Sequence, residues 1–218
     1  MTLELQKLSL RWPDKPFLSD FSLTVTSGKI AMIQGPSGCG KSTLLSAIAG
    51  TSDTNLTITG DIILAKKRLN EAPPQHRRIA ILFQEALLFP HLTVAQNLGF
   101  GLPSHMTRAQ RTTAITDALS QAGLDSYGDK DPAHLSGGQK ARIAMMRAML
   151  SAPHALLMDE SFASLDPNLR AQFGTFVATT IARQNIPALL ISHHPEDRQF
   201  ATGQIIDWPA SHAKIAKP

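Results

Sequence analysis

The chain has 218 residues, 43% of them hydrophobic, with a formal net charge of +4. That length favours one sizeable domain, or one domain carrying an insertion, and the apolar share is enough for a packed core. Global disorder, membrane-spanning helices and a disulfide framework are excluded. There is no low-complexity tract, no run near the roughly 18 apolar residues of a span, and only one cysteine, Cys39. The charges are scattered, which fits an anionic small ligand better than direct nucleic-acid binding. The opening MTLELQKLSL lacks a basic region ahead of an apolar core and is not expected to be a secretory leader.

In chain order, Leu3, Leu5, Leu8 and Leu10 predict a strand with one buried face, and Phe21, Leu23 and Val25 predict a second. Ser27-Gly28 reads as a turn into a buried strand over Lys29–Gln34. Leu44, Leu45 and Ile48 have helical spacing, with Gly50 as the stop. LTITGDIIL predicts two short strands around Gly60, and Ile79–Phe83 another buried strand. From Glu85 to Leu150 the pattern is mostly helical. Thr93 and Thr107 are candidate N-caps, and a stripe of Ile115, Ala118, Leu119 and Ala122 ends at Gly123. Strands return at Ala155–Glu160, Ala188–Ser192 and QIIDW, with a helix from Asp166-Pro167 to about Gln184 between the first two. Strands alternating with helices imply an α/β fold with a mostly parallel sheet. The division expected is a single domain, 1–218, with an α/β core of 1–84 and 152–218 and an inserted helical subdomain of 85–151.

The stretch Gly35, Pro36, Ser37, Gly38, Cys39, Gly40, Lys41, Ser42, Thr43 matches G-x-x-x-x-G-K-[ST] between a strand and a helix. Glycines let such a loop turn its N–H groups onto phosphates. Lys41 is then expected to reach the β/γ-phosphates and Ser42 to ligate Mg²⁺. A metal-bound phosphate needs a further acid, and strand ends supply one in parallel sheets. Asp159 is the expected metal residue and Glu160 the general base for the attacking water, a role worth about 10²–10⁴ in rate.

HLSGGQKARIAMMRAML sets Gly137 and Gly138 at the start of a helix, although Gly in a helix interior costs about 1 kcal/mol against Ala. A glycine-rich helix start is an anion site. The phosphate loop, the distant LSGGQ and the strand ending in Asp-Glu together resemble the ATP-binding-cassette (ABC) ATPases, over nearly the whole chain. The resemblance implies a P-loop NTPase core with an N-terminal antiparallel β portion and an inserted α-helical subdomain. It implies that Ser136, Gly137, Gly138 and Gln139 face ATP held by the loop of a second copy, in a head-to-tail dimer. It implies Gln84 as the residue sensing Mg²⁺ and water, Ser164–Asp166 as an interface loop, His193 as the switch histidine on the γ-phosphate, and Trp12 as the aromatic against adenine. Base stacking of that kind is worth about 1–3 kcal/mol in nucleic-acid complexes. Three positions depart from the usual family pattern: Ser161 stands in place of Pro, His194 in place of Asp, and Lys140 follows LSGGQ where Arg or Gln is common.

Gln84–Leu102, with LFPHLTV, is similar to the segment by which small-solute importers of the thiamine and molybdate kind receive a coupling helix. Leu87, Leu88, Phe89 and Pro90 would line that groove. The expected function is ATP hydrolysis, with ATP and Mg²⁺, driving import at the cytoplasmic face of the inner or plasma membrane. The expected partners are integral permease subunits, a solute-binding protein and a second copy of the chain, with no direct membrane insertion. An exporter or lipoprotein-release ATPase is the alternative; a non-transport ATPase of DNA repair or translation fits less well. No room is expected for an added C-terminal regulatory domain.

Overall fold

The first two strands, β1 (Thr2–Trp12) and β2 (Lys15–Thr26), form an antiparallel hairpin. Leu3 faces Val25, Leu5 faces Leu23, Leu8 faces Phe21 and Leu10 faces Leu18. The apolar positions change parity between Leu5 and Leu8, yet all four leucines are buried. A register shift between Leu5 and Leu8, with Lys7 at φ 48°, explains this: the extra residue turns the even positions inward. The computed structural model describes residues 1–208; residues 209–218, part of the stretch assigned above to the core, lie outside the described residues.

After β3 (Ile30–Gln34) come α1 (Lys41–Ala49), β4 (Thr57–Leu64), β5 (Lys67–Arg68), α2 (Pro74–Arg77) and β6 (Ile79–Leu82). The two strands expected around Gly60 are one strand, β4, whose pairing with β1 shifts register between Gln6 and Ser9. The bulge absorbs the glycine without ending the strand. The helices α3 (Val94–Phe100), α4 (Arg108–Ala122) and α5 (Gly137–Leu150) follow, then β7 (Ala155–Asp159), α6 (Pro167–Gln184), β8 (Ala188–Ser192) and β9 (Ile205–Asp207). Thr93 and Thr107 cap α3 and α4 in full capping boxes with Gln96 and Gln110. Asp166 caps α6 by accepting from the N–H groups of Asn168 and Leu169, both at 3.0 Å.

Two sheets result. One has the order β2-β1-β4-β5; the other has the order β6-β7-β8-β3-β9, with β7–β8, β8–β3 and β3–β9 parallel. The described chain divides into two compact units: residues 1–81, 154–160 and 178 onward, and residues 82–153 with 161–177. In the first, Leu44, Leu45 and Ile48 of α1 share one apolar core with Leu3 and Leu5 of β1 and Leu157 and Leu189 of the parallel strands. Each fully buried Leu removes enough apolar surface from water to contribute about 1.5–3 kcal/mol. In the second, Val94, Leu98, Ala118, Leu119, Ile143 and Met146 form a separate core. Among the described residues no helix is long and apolar enough to cross a membrane.

Candidate functional site

The loop Gly35–Gly40 leaves the carboxyl end of β3, the central position for a ligand in a parallel sheet. Pro36, Ser37 and Gly38 are exposed, while Lys41 is buried. Its Nζ donates to the carbonyls of Gly35 at 2.9 Å and Pro36 at 2.6 Å. Cys39 Sγ donates to the same Pro36 carbonyl at 2.8 Å and lies 3.7 Å from Lys41 Nζ. The ammonium is thus held in the loop by neutral carbonyls, which an anionic oxygen outcompetes. Gly40 has φ 82° and a Cβ there would fall on the Phe17 ring. At Gly35 a Cβ would meet Trp208, with the Trp208 Cβ 2.9 Å away. These glycines are therefore required by neighbours within the protein. The sequence reading found neither Phe17 nor Trp208.

Ser42 and Thr43 stand in the first turn of α1, Ser42 exposed and Thr43 half-buried. Ser42 Oγ donates to Asp159 Oδ1 at 3.0 Å. Burial pushes the Asp159 carboxyl above the ordinary carboxylate range and the Glu160 charge adds to this, while the Ser42 bond and Lys41 oppose it. Two oxygen donors, one on a desolvated acid, suit a hard divalent cation such as Mg²⁺.

Glu160, one residue past β7, has φ 48°, and its N–H donates to Ile191 O at 3.0 Å. That left-handed backbone costs a non-glycine residue about 1–3 kcal/mol, the kind of strain that collects at functional sites. Its Oε1 lies 3.2 Å from His193 Nδ1, an ion-pair distance at which the two atoms are not aligned as a hydrogen bond. The His194 ring lies against His193, centroids 4.0 Å apart. The turn carrying both is fixed by Ser192: its Oγ accepts from His194 N at 3.0 Å and donates to the buried Asp197 carboxylate at 2.5 Å. Ser192 and Asp197 had no motif to announce them. Trp12, at the tip of the β1–β2 hairpin opposite Lys15, is half-buried and packs on the core.

In the second unit, Ser136 is the N-cap of α5, and Gln139 completes a capping box. Ser136 Oγ accepts from Gln139 N at 3.3 Å, Gln139 Oε1 accepts from Ser136 N at 2.9 Å, and Gln139 Nε2 donates to Tyr127 Oη at 3.3 Å. The Ser and Gln of LSGGQ are thus spent in part on the helix itself, while the exposed Gly137 presents the open helix start. Gly138 is buried, and a Cβ there would press on Leu169 of α6 at 3.2 Å. Gln84 is exposed; its carbonyl accepts from Ser164 Oγ at 3.2 Å. A pocket of about 460 Å³ lies beside it, lined by Gln84, Leu88, Pro90, Lys140, Ser161 and others. The Ser161 hydroxyl is buried there without a hydrogen-bond partner.

The LFPH segment is stapled from beneath by two residues that the sequence reading passed over. Asn97, fully buried, accepts from Phe89 N at 2.8 Å and donates to the carbonyls of Phe89, Leu92 and Thr93. Arg147 donates to Leu87 O at 2.9 Å and stacks over the Phe89 ring at 5.2 Å. Burial holds its guanidinium below the ordinary arginine value. Leu87 (54% exposed) and Phe100 (68%) remain open to solvent, with the Phe100 ring 4.6 Å from Phe89.

The ABC transporter family model matches residues 18–163. The uncharacterized ABC transporter ATP-binding protein YnjD of Escherichia coli (strain K12) is 39% identical over 214 residues, covering 97% of this chain and 98% of that protein. The thiamine import ATP-binding protein ThiQ of Cereibacter sphaeroides is 39% identical over 206 residues, covering 94% of this chain and 87% of that protein. Other curated relatives are longer, and the chain spans little more than half their length. The fold is similar to that of cbiO1 from Clostridium perfringens, part of the ABC transporter complex cbiONQ, at a TM-score of 0.84 and 23% identity, covering 94% of this chain and 83% of that one. A family match across both the phosphate loop and the LSGGQ helix, joined to relatives aligned along nearly all of its length, means that the chain belongs to the ABC transporter ATP-binding proteins, which hydrolyse ATP to energise a transporter.

Proposed function

We propose that this ATPase drives the import of a small solute from the cytoplasmic face of the inner or plasma membrane, held there by integral permease subunits that a solute-binding protein supplies with cargo. The observation that carries the reading is the LFPH segment. Asn97 and Arg147 fix its backbone, so Leu87 and Phe100 stand as a preformed apolar surface for a helix of the permease. The name of ThiQ, a thiamine import protein, supports import as the direction.

In this reading the N–H groups of Gly35–Thr43 hold the ATP phosphates and Trp12 stacks on adenine. Lys41 exchanges the carbonyls of Gly35 and Pro36 for β/γ-phosphate oxygens. Ser42, Asp159 and Gln84 hold Mg²⁺, which when bound neutralises phosphate charge. Glu160 takes the proton of the attacking water, and His193 contacts the γ-phosphate beside it. Ser136, Gly137, Gly138 and Gln139 face the ATP of a second copy, so that two copies close head to tail on two nucleotides. Residues 85–151 act as the inserted subdomain that carries the closing motion to the permease.

The test is a pull-down of tagged chain from detergent-solubilised membranes, with a Leu87→Asp, Phe100→Asp double variant alongside. A multi-span permease captured by the parent chain and lost by the variant, together with an exported solute-binding protein, is the expected result. A permease without such a protein would favour the exporter alternative. A ribosomal or DNA-bound partner would overturn transport.

A further inference from the structure

We propose that Trp208 is a positioning residue for ATP, its indole holding the phosphate loop in its binding shape. The proposal rests on the reading of Gly35–Thr43 as the phosphate cradle. Trp208 follows β9 and is buried in the core of the first unit, with its ring edge-on to Phe21 at 5.4 Å. Its Nε1–H donates to the Cys39 carbonyl at 3.0 Å, and its backbone N–H donates to the Gln34 carbonyl at 2.5 Å. One residue thus grips the loop at both ends, and its chain at Gly35 leaves space for no side chain.

The consequence follows from peptide geometry. In a planar trans peptide the C=O and N–H point in opposite directions. The Cys39 carbonyl is drawn inward to a buried indole, so the N–H of Gly40, in the same peptide, is turned to the outer side where an anion arrives. A loop whose N–H groups converge on phosphate must turn its carbonyls away, and those carbonyls need partners. Gly35 and Pro36 use Lys41, which ATP would take from them. Cys39 uses Trp208, which ATP leaves in place. Trp208 is the anchor that survives binding.

The test is titration with a non-hydrolysable ATP analogue. Trp208→Phe keeps an aromatic ring in the core and removes the donor with the pyrrole part of the indole. It should bind about threefold to tenfold more weakly, as expected for one lost hydrogen bond, while kcat at saturating ATP stays close to that of the parent. Phe21→Leu loosens the packing around Trp208 and keeps the donor; it should lower Tm with affinity within about twofold of the parent. Affinity of Trp208→Phe within that margin, beside a large loss in Lys41→Ala, would overturn the proposal and leave the cradle standing. Unchanged affinity in Lys41→Ala would overturn the cradle itself. Should Trp208→Phe fail to fold, the indole N–H resonance of the parent decides. The chain has two tryptophans, so the Trp208 signal is the one remaining in Trp12→Phe. Its hydrogen exchange should slow when the analogue binds the loop shape that it holds, and an unchanged rate would overturn the role.

Discussion

Nδ1 of His193 lies 3.2 Å from Oε1 of Glu160, so the proposed base and the proposed switch face each other. If they work as one unit, their losses should not add. Glu160→Gln should bind ATP, fall by about 10²–10⁴ in turnover, and accumulate as an ATP-dependent dimer in size-exclusion chromatography. His193→Ala should lower kcat at nearly constant KM, and the double variant should be no slower than Glu160→Gln. Multiplying losses in steady-state assays would separate the two roles.

Asp159 is held above the ordinary carboxylate range, chiefly by burial. For an acid whose folded pKa is raised, the stabilising contribution is fully present below the unfolded pKa and is lost as pH rises through the folded value. The ionised form is therefore the costly one in the folded protein. Asp159→Asn escapes that loss, so its Tm should gain on the parent as pH rises above the unfolded carboxylate value of about 4 while Mg²⁺-dependent turnover disappears. A constant Tm difference across that rise, followed by calorimetry, would count against burial as the cause.

Ser136 caps α5 and is also proposed to meet a phosphate, and two substitutions separate these duties. Ser136→Ala should lose about 1 kcal/mol of stability and ATP-driven dimerisation together. Ser136→Asp supplies an equally good cap but sets a carboxylate against the γ-phosphate of the second copy. It should keep its Tm and still fail to dimerise. Dimerisation by Ser136→Asp, measured by light scattering, would confine Ser136 to the helix.

Asn97 makes four hydrogen bonds to the backbone beneath the LFPH segment. Asn97→Leu should leave the Phe89 N–H and the Leu92 carbonyl unpaired, since the Phe89 and Thr93 carbonyls keep backbone partners, at about 1–3 kcal/mol for each that stays buried, and should loosen the segment proposed to meet the permease. Co-purification with the permease should drop, and amide exchange should rise at Phe89 before it rises elsewhere. Uniform exchange would mean that Asn97 supports the whole unit.

The loop between β3 and α1, the strand ending at Asp159 and the helix starting at Gly137 were legible because each is a local pattern: a fixed spacing beside a strand or helix start. The bulge at Lys7 hid in plain view, in the parity change from Leu5 to Leu8, which only a register shift explains. Phe17, Trp208, Asp197, Asn97 and Arg147 left no such trace. Their partners lie far along the chain, are backbone groups or, for Asp197, are a serine hydroxyl five residues away, and no spacing rule marks such bonds. The merging of two expected strands into β4 has the same origin, since Gly60 ends a strand only when no neighbour holds the chain beyond it.

β3 leads into the phosphate loop, yet its two neighbours in the sheet are β8 and β9, among the last strands of the described chain. During synthesis the loop emerges early and waits. At about 5–20 residues per second, it stays without its sheet and without Trp208 for on the order of ten seconds. A nascent chain halted before Ala188 carries every residue of the motif, Lys41 included, with Phe17 beside it, but lacks both strands that flank β3 and the Trp208 donor. The loop thus reaches its final shape only when the last described strands have joined the sheet.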